Sequence, residues 1–159
     1  MKNIHILPTN KPSRFQKTKH DNFFLASKIE LYTDCIAQHI YITSDEEIKD
    51  RDWTFDEENP YKWTEDDVED CLYNPGSENY KGCKKIILTT DQDLIKDGVQ
   101  AIDDEFLEWY VQNPSCEKVK VVKENLHIGE VIDESYPKGF LDYKIIIPSI
   151  GINSLNKQD

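Results

Sequence analysis

The spacing of apolar positions predicts short strands along most of the chain. Asn3–Leu7, Phe23–Leu25, Lys28–Tyr32 and His39–Ile42 are runs rich in β-branched and aromatic residues, separated by Asn, Lys, Ser or Asp. Lys84–Thr89 reads KKIILT, a continuous apolar run of strand length that predicts burial on both faces. Lys118–Lys123 alternates at first, and Asp142–Ile147 stops at Pro148. The polar, Gly- and Pro-containing connection between these two predicts an antiparallel hairpin with a long loop.

Helical spacing is concentrated between Asp91 and Asn113. Thr90 or Asp91 can cap a short helix through Lys96, which Gly98 ends. Asp103 can cap a second, with Asp104 and Glu105 in the first turn, where the helix dipole favours negative charge. Phe106, Leu107, Tyr110 and Val111 then fall on one face with Trp109 beside them, and Asn113-Pro114 stops the helix. The expected fold is α+β: a small, mostly antiparallel sheet or partly open barrel with an inserted helical pair. It is expected to span 1–148 as a single domain, with 149–159, which lose all periodicity, as a frayed tail.

Composition changes this picture little, but charge changes it. The chain has 159 residues, 38% of them hydrophobic, which suits one domain with one core. Acidic residues number 31 against 19 basic, a net charge of -12. That surface repels phosphate, so an autonomous nucleic-acid binder and docking on anionic membranes are both disfavoured. Residues 1–30 hold six basic and two acidic side chains, a net +4. Residues 45–70 hold thirteen acids and three bases, a net -10, and 91–117 hold eight acids and one base, a net -7. Such asymmetry points to an interaction face.

No window approaches the roughly 20 apolar residues that span a bilayer. The N-terminal apolar run is broken by Pro8 too soon for a signal-peptide core. Cys35, Cys71, Cys83 and Cys116 are widely spaced, without the paired ligands of a zinc site, and are expected to be reduced thiols in cytoplasm. Asp91-x-Asp93 with Asp97-Gly98 briefly resembles a calcium loop, but Leu94 and Ile95 stand where oxygen ligands belong, and capping by Asp91 is the better reading. Asp45-Glu46-Glu47 and Asp66-Asp67 could ligate magnesium for a hydrolase, yet they lie in an unbroken negative block that repels a polyanionic substrate. The histidines fall singly, no nucleophile motif is present, and no cofactor is called for.

Ser44–Asp70 is different, because Trp53, Phe55, Tyr61 and Trp63 are interleaved among its acids. One reading is a solvated acidic strand-and-loop region whose aromatics face the core. The other is an aromatic-anchored acidic surface that docks on a basic protein, with aromatics supplying anchoring energy and charge steering association. Closely spaced carboxylates also approximate a phosphate backbone, so the partner would be a nucleic-acid-handling protein.

The segments MKNIHILPT, IYITSDEEIKDRDW (Ile40–Trp53), CKKIILTTDQDLIKDGVQAIDDEFLEWYVQNPSCE (Cys83–Glu117) and YKIIIP (Tyr143–Pro148) cover about 40% of the chain. They resemble a family of bacteriophage and prophage proteins for which no catalytic residues are established. Where that family commonly has Gly between two Asp before the Trp, this chain has Arg51, which puts a tight positive-φ turn there in question. The resemblance implies an accessory protein in the cytoplasm of a bacterial host, in company that includes anti-CRISPR inhibitors. The resulting expectation is a non-enzymatic inhibitor of a basic, nucleic-acid-binding host defence protein, such as a CRISPR effector of the RNA-targeting Cas nuclease type. Glu57, Glu58, Glu65, Asp66, Asp67, Glu69 and Asp70 would supply the field, and Trp53 and Trp63 the anchors. The alternative is a phage regulatory module with a protein or small-molecule ligand, its acidity only solubilising.

Overall fold

A computed structural model describes residues 2–29, 33–56, 59–74, 82–125 and 141–148. Along these run β1 (Ile4–Thr9), β2 (Phe15–Thr18), β3 (Phe23–Leu25), β4 (Cys35–Ser44), β5 (Trp53–Phe55) and β6 (Pro60–Lys62). They continue as α1 (Glu65–Tyr73), β7 (Lys84–Thr89), α2 (Gln92–Lys96), β8 (Gln100–Ala101), α3 (Asp104–Gln112), β9 (Lys120–Asn125) and β10 (Leu141–Ile146). The fold is α+β. Eight of the strands form an open sheet in the order β3-β2-β4-β7-β5-β6, with β1 also on β4 and β8 also on β7. Every pairing is antiparallel except β7 with β8.

β4 alternates its side chains between two cores, as a strand must. Ile40 and Ile42 enter one with Ile4, Phe15, Leu88 and the α3 residues Phe106, Leu107 and Tyr110. Tyr41 enters the other with Phe55, Ile86 and Leu94. The register of β4 against β7 slips by one residue, pairing Ile42 with Leu88 but Thr43 with Ile86. The extra residue, Ile87, therefore joins Leu88 in the first core. This is the double-sided burial that the KKIILT run predicts.

The helix boundaries follow the capping residues read from the sequence. Asp91 accepts the Asp93 amide at the start of α2, and Gly98 lies just beyond its end with φ +108. Asp103 accepts the Phe106 amide at the start of α3, and Asn113 closes it. The predicted C-terminal hairpin is present as β9 paired with β10, Tyr143 opposite Lys123. Two side-chain amides, each bonding like a strand neighbour, fasten it to the sheet. Asn3 donates to the Val119 carbonyl at 2.8 Å and accepts the Val119 amide at 2.9 Å. Gln100 donates to the Tyr143 carbonyl at 2.7 Å and accepts its amide at 2.8 Å.

Two expectations change. The described part of the predicted strand Lys28–Tyr32 is a bend, because the chain leaves the sheet at Ala26 and Ile29 is exposed; residues 30–32 lie outside the described residues. The helical pair is joined by a third helix, α1, whose apolar positions at helical spacing, Val68, Cys71 and Leu72, are too few among its acids to betray it. The expected tail, 149–159, also lies outside the described residues.

Gln100→Ala should cost about 1–3 kcal/mol in chemical denaturation, because it strands both Tyr143 backbone groups. Amide hydrogen exchange should quicken at Tyr143 while β4 stays protected. Unchanged exchange at Tyr143 would show that the hairpin is held by other means.

Candidate functional site

The acidic block Ser44–Asp70 folds as a hairpin that leads into a helix. β5 pairs with β6, Trp53 opposite Lys62, and the ladder continues through Arg51 and Trp63, whose backbone bonds to Arg51 and Asp52 are 2.9 Å long. Its aromatics divide by position. Phe55 is buried and stacks on His5, ring centroids 4.3 Å apart. Trp63 is also buried, at 4% exposure. Its indole has no surface to offer a partner, so the expectation that Trp63 anchors docking is corrected: it supports the hairpin from inside. Trp53 is half-buried on the flank and donates its indole N–H to Asp97 at 2.8 Å. Tyr61 is exposed and points its hydroxyl at Asp67, 3.3 Å away.

Thr64 opens α1 with a reciprocal cap. Its hydroxyl accepts the Asp67 amide at 3.3 Å, and the Asp67 carboxylate accepts the Thr64 amide at 2.8 Å. Thr64-x-x-Asp67 is the sequence signal that could have located this helix, supported by Glu65, Asp66 and Asp67 in its first turn. Five of its nine residues are acidic, none is basic, and none is buried. At its C-terminal end Leu72 and Tyr73 are 76% and 77% exposed. A helix this short is marginal by itself, and burying each such side chain is worth about 1.5–3 kcal/mol. The surface therefore combines carboxylates with apolar side chains that the protein's own core does not use.

Several acids outside α1 are paired, although exposed Glu47, Asp50, Glu105 and Glu108 also have no ion-pair partner among the described residues. In the second acidic block, Asp93 pairs with Lys11, Asp97 with Lys62 and Asp104 with Arg14. Upstream, Asp45 pairs with Lys84, Asp52 with Lys85 and Glu46 with Lys123. Asp67 is spent on the cap, and Asp70 accepts the Asn74 side-chain amide at 2.9 Å. Among the described residues, Glu65, Asp66 and Glu69 are exposed and have no ion-pair partner. The Asp67 carboxylate, nearest this field, pushes the Tyr61 phenol above its ordinary pKa. Glu57 and Glu58, named with these acids from the sequence, lie outside the described residues.

A second polar cluster is buried where β4 meets α2. Tyr41 donates to Asp91 at 2.8 Å, Thr90 lies 3.4 Å from His39 Nδ1, and the Thr90 hydroxyl accepts the Ile40 amide at 2.9 Å. Burial raises Tyr41 far above its ordinary pKa and lowers that of His39. The Tyr41 and Ile40 bonds fix a cap and backbone, the Thr90–His39 contact joins two side chains, and the cluster locks the corner. Asp91 is occupied as the α2 cap and by Tyr41, which removes it from a calcium loop. Among the described residues, no three His, Cys, Asp or Glu side chains gather as metal ligands, and no helix is long and apolar enough to cross a membrane. Compared with known proteins, the chain matches no family model, no curated protein and no solved structure.

His5 is the most readily tested titrating group. Burial against Phe55, with Lys2 and Lys84 adding repulsion, lowers its pKa from 6.5 to about 4. The unfolded chain binds a proton below 6.5 that the folded chain refuses until about 4, so stability is lost as pH falls through that window. The thermal midpoint should drop by about 3–8 °C across it. His5→Phe keeps the ring stack, cannot be protonated, and should flatten that slope. An unaltered slope in this variant would contradict the assignment.

Proposed function

We propose that this chain is a non-enzymatic inhibitor, encoded by a phage, that docks through α1 on a basic surface of a nucleic-acid-handling host defence protein. The single observation that carries the reading is the composition of the α1 surface. Glu65, Asp66 and Glu69 stand exposed and unpaired, beside Leu72 and Tyr73, which the fold leaves uncovered. Carboxylates steer a basic partner and orient it, and the two apolar side chains supply the desolvated centre that holds it. The guide or target channel of a CRISPR RNA-guided nuclease has the required chemistry, being lined to accept a polyanion. The likeness of the N-terminal, central and closing segments to phage proteins supplies the biological setting.

In this reading the anchors are Leu72, Tyr73 and the exposed Tyr61, with Trp53 at the margin. In the second block Asp93, Asp97 and Asp104 are met by Lys11, Lys62 and Arg14. Glu105 and Glu108 of α3 are exposed without an ion pair among the described residues, but α3 has no exposed large apolar side chain to stand with them. Binding should therefore be faster at low salt and slow steeply as salt rises.

The test uses RNA cleavage by a purified RNA-targeting Cas nuclease with its guide. The parent chain should inhibit cleavage, and the variant Glu65→Lys, Asp66→Lys, Glu69→Lys, Asp70→Lys should lose inhibition with an unchanged circular dichroism spectrum. Leu72→Ala with Tyr73→Ala should weaken binding by about 1–3 kcal/mol. Full inhibition by the charge-reversed variant would sink the acidic-surface reading. Absence of inhibition by the parent chain would remove this class of partner.

A further inference from the structure

Among the described residues, three other than glycine have positive φ, and one of them is out of character. Asp21 and Asp34, at φ 63 and 60, have the short polar side chains that tolerate the left-handed region. Arg51, at φ 72, does not, and the conformation costs a residue with a Cβ about 1–2 kcal/mol. The turn itself is fixed without any help from the guanidinium. Asp52 donates its amide to the Lys49 carbonyl at 3.1 Å, and Lys49 donates its amide to the Asp52 carboxylate at 2.7 Å. Arg51 contributes its own amide to the Trp63 carbonyl at 2.9 Å, which any non-proline residue could do. Glycine would make the same turn without strain. The turn's hydrogen bonds give no reason for an arginine here. Hydrogen bonds from Lys62 and Trp53 hold the Asp97 carboxyl below its ordinary pKa, and the Arg51 charge adds a smaller effect in the same direction.

The Arg51 side chain lines a cavity of about 350 Å³ that lies between β5, β7 and the turn from α2 to β8. That size falls within the ~300–1,000 Å³ of small-molecule sites. Trp53 and Tyr143 provide aromatic surface, Val99 an apolar wall, and Gly98 an open stretch where an added Cβ would meet nothing within 4 Å. Within this lining Lys85 faces Asp52, while Asp97 is met from outside it by Lys62 and feels the charge of Arg51. Lys85 lies 3.5 Å from Asp52, and Asp97 is held by Lys62 at 2.7 Å and by the Trp53 indole at 2.8 Å. Arg51 is exposed and, among the described residues, has no ion-pair partner. The lining itself is neutral, two cations against two carboxylates, and Arg51 is its one cation without a close ion pair, a planar fork of donors beside aromatic residues.

We propose that this cleft binds a small planar molecule carrying a single carboxylate, gripped by the Arg51 guanidinium, with its apolar body along Trp53, Val99 and Tyr143. A guanidinium matches a carboxylate with two parallel hydrogen bonds, which a lysine could not reproduce. Asp52 and Asp97 line the same cleft and repel a second negative charge, so an aromatic monocarboxylate fits and a doubly charged phosphate does not. The cleft shares Trp53 with the margin of the docking surface but takes none of the α1 residues, so its occupation does not depend on the docking reading.

Amide NMR of the full chain, titrated with benzoate, benzamide and inorganic phosphate, tests this directly. Benzoate should produce saturable shifts at the Trp53 indole N–H and the Gly98 amide, with benzamide and phosphate at least about tenfold weaker, a difference of about 1.4 kcal/mol. Arg51→Gly should keep the parent spectrum elsewhere, since it relieves the turn, and lose the benzoate response. Equal responses to benzoate and benzamide, saturable phosphate binding as strong as benzoate, retention of benzoate binding by Arg51→Gly, or no shift at Trp53 would each overturn the proposal.

Discussion

A strand with both faces in apolar surroundings can satisfy its backbone only through neighbours on both edges, and β4 is that strand here. β1 covers one edge from Ala37 to Ile42, while β2 and β7 share the other. Its seven central residues, Ala37–Thr43, are buried without a break, polar Gln38, His39 and Thr43 among them. Those polar groups are tolerable because most find partners in the same layer, as Thr43 does with His5. The arrangement leaves β7 to carry the next hairpin outward. β5 joins β7 at Thr54 and Phe55, β6 joins β5, and α1 follows from Trp63 and Thr64. The acidic helix is thus mounted at the far margin of the sheet, where it adds nothing to either core.

This mounting gives the net charge of -12 a different meaning along the chain. The basic N-terminal segment meets the second acidic block through Lys11 with Asp93 and Arg14 with Asp104. Exposed pairs of this kind contribute roughly 0–1 kcal/mol each, so they are better understood as neutralising the surface than as holding the fold. Helix α1 has no such opposition. Exposed Glu105 and Glu108 of α3 share this, but among the described helices only α1 sets such acids beside exposed large apolar side chains, Leu72 and Tyr73.

How far the sequence reveals this depends on the kind of signal each element carries. Buried strands such as Lys84–Thr89 and an amphipathic helix such as α3 announce themselves because burial imposes a period on apolar residues. Asp91, Asp103 and Asn113 mark their helix ends because a cap has a local chemical requirement. Helix α1 is silent by the first criterion and audible only by the second, through Thr64 and Asp67. Short strands such as β5, β6 and β8 carry two or three residues and no usable period. Whether Trp53 or Trp63 faces outward is a tertiary fact, since both sit in similar acidic surroundings in the sequence. The turn at Arg51 shows the same limit from the other side. Its residue type argues against positive φ, yet the bonds from Lys49, Asp52 and Trp63 hold it there.

The account turns on whether α1 is the surface that meets a partner. Hydrogen exchange of the chain, alone and mixed with a purified RNA-targeting Cas nuclease and its guide, measures this most directly. Slowed exchange confined to residues 61–74, with β4 and α3 unchanged, is the predicted result. Protection that falls elsewhere while residues 65–73 exchange as in the free protein would contradict it.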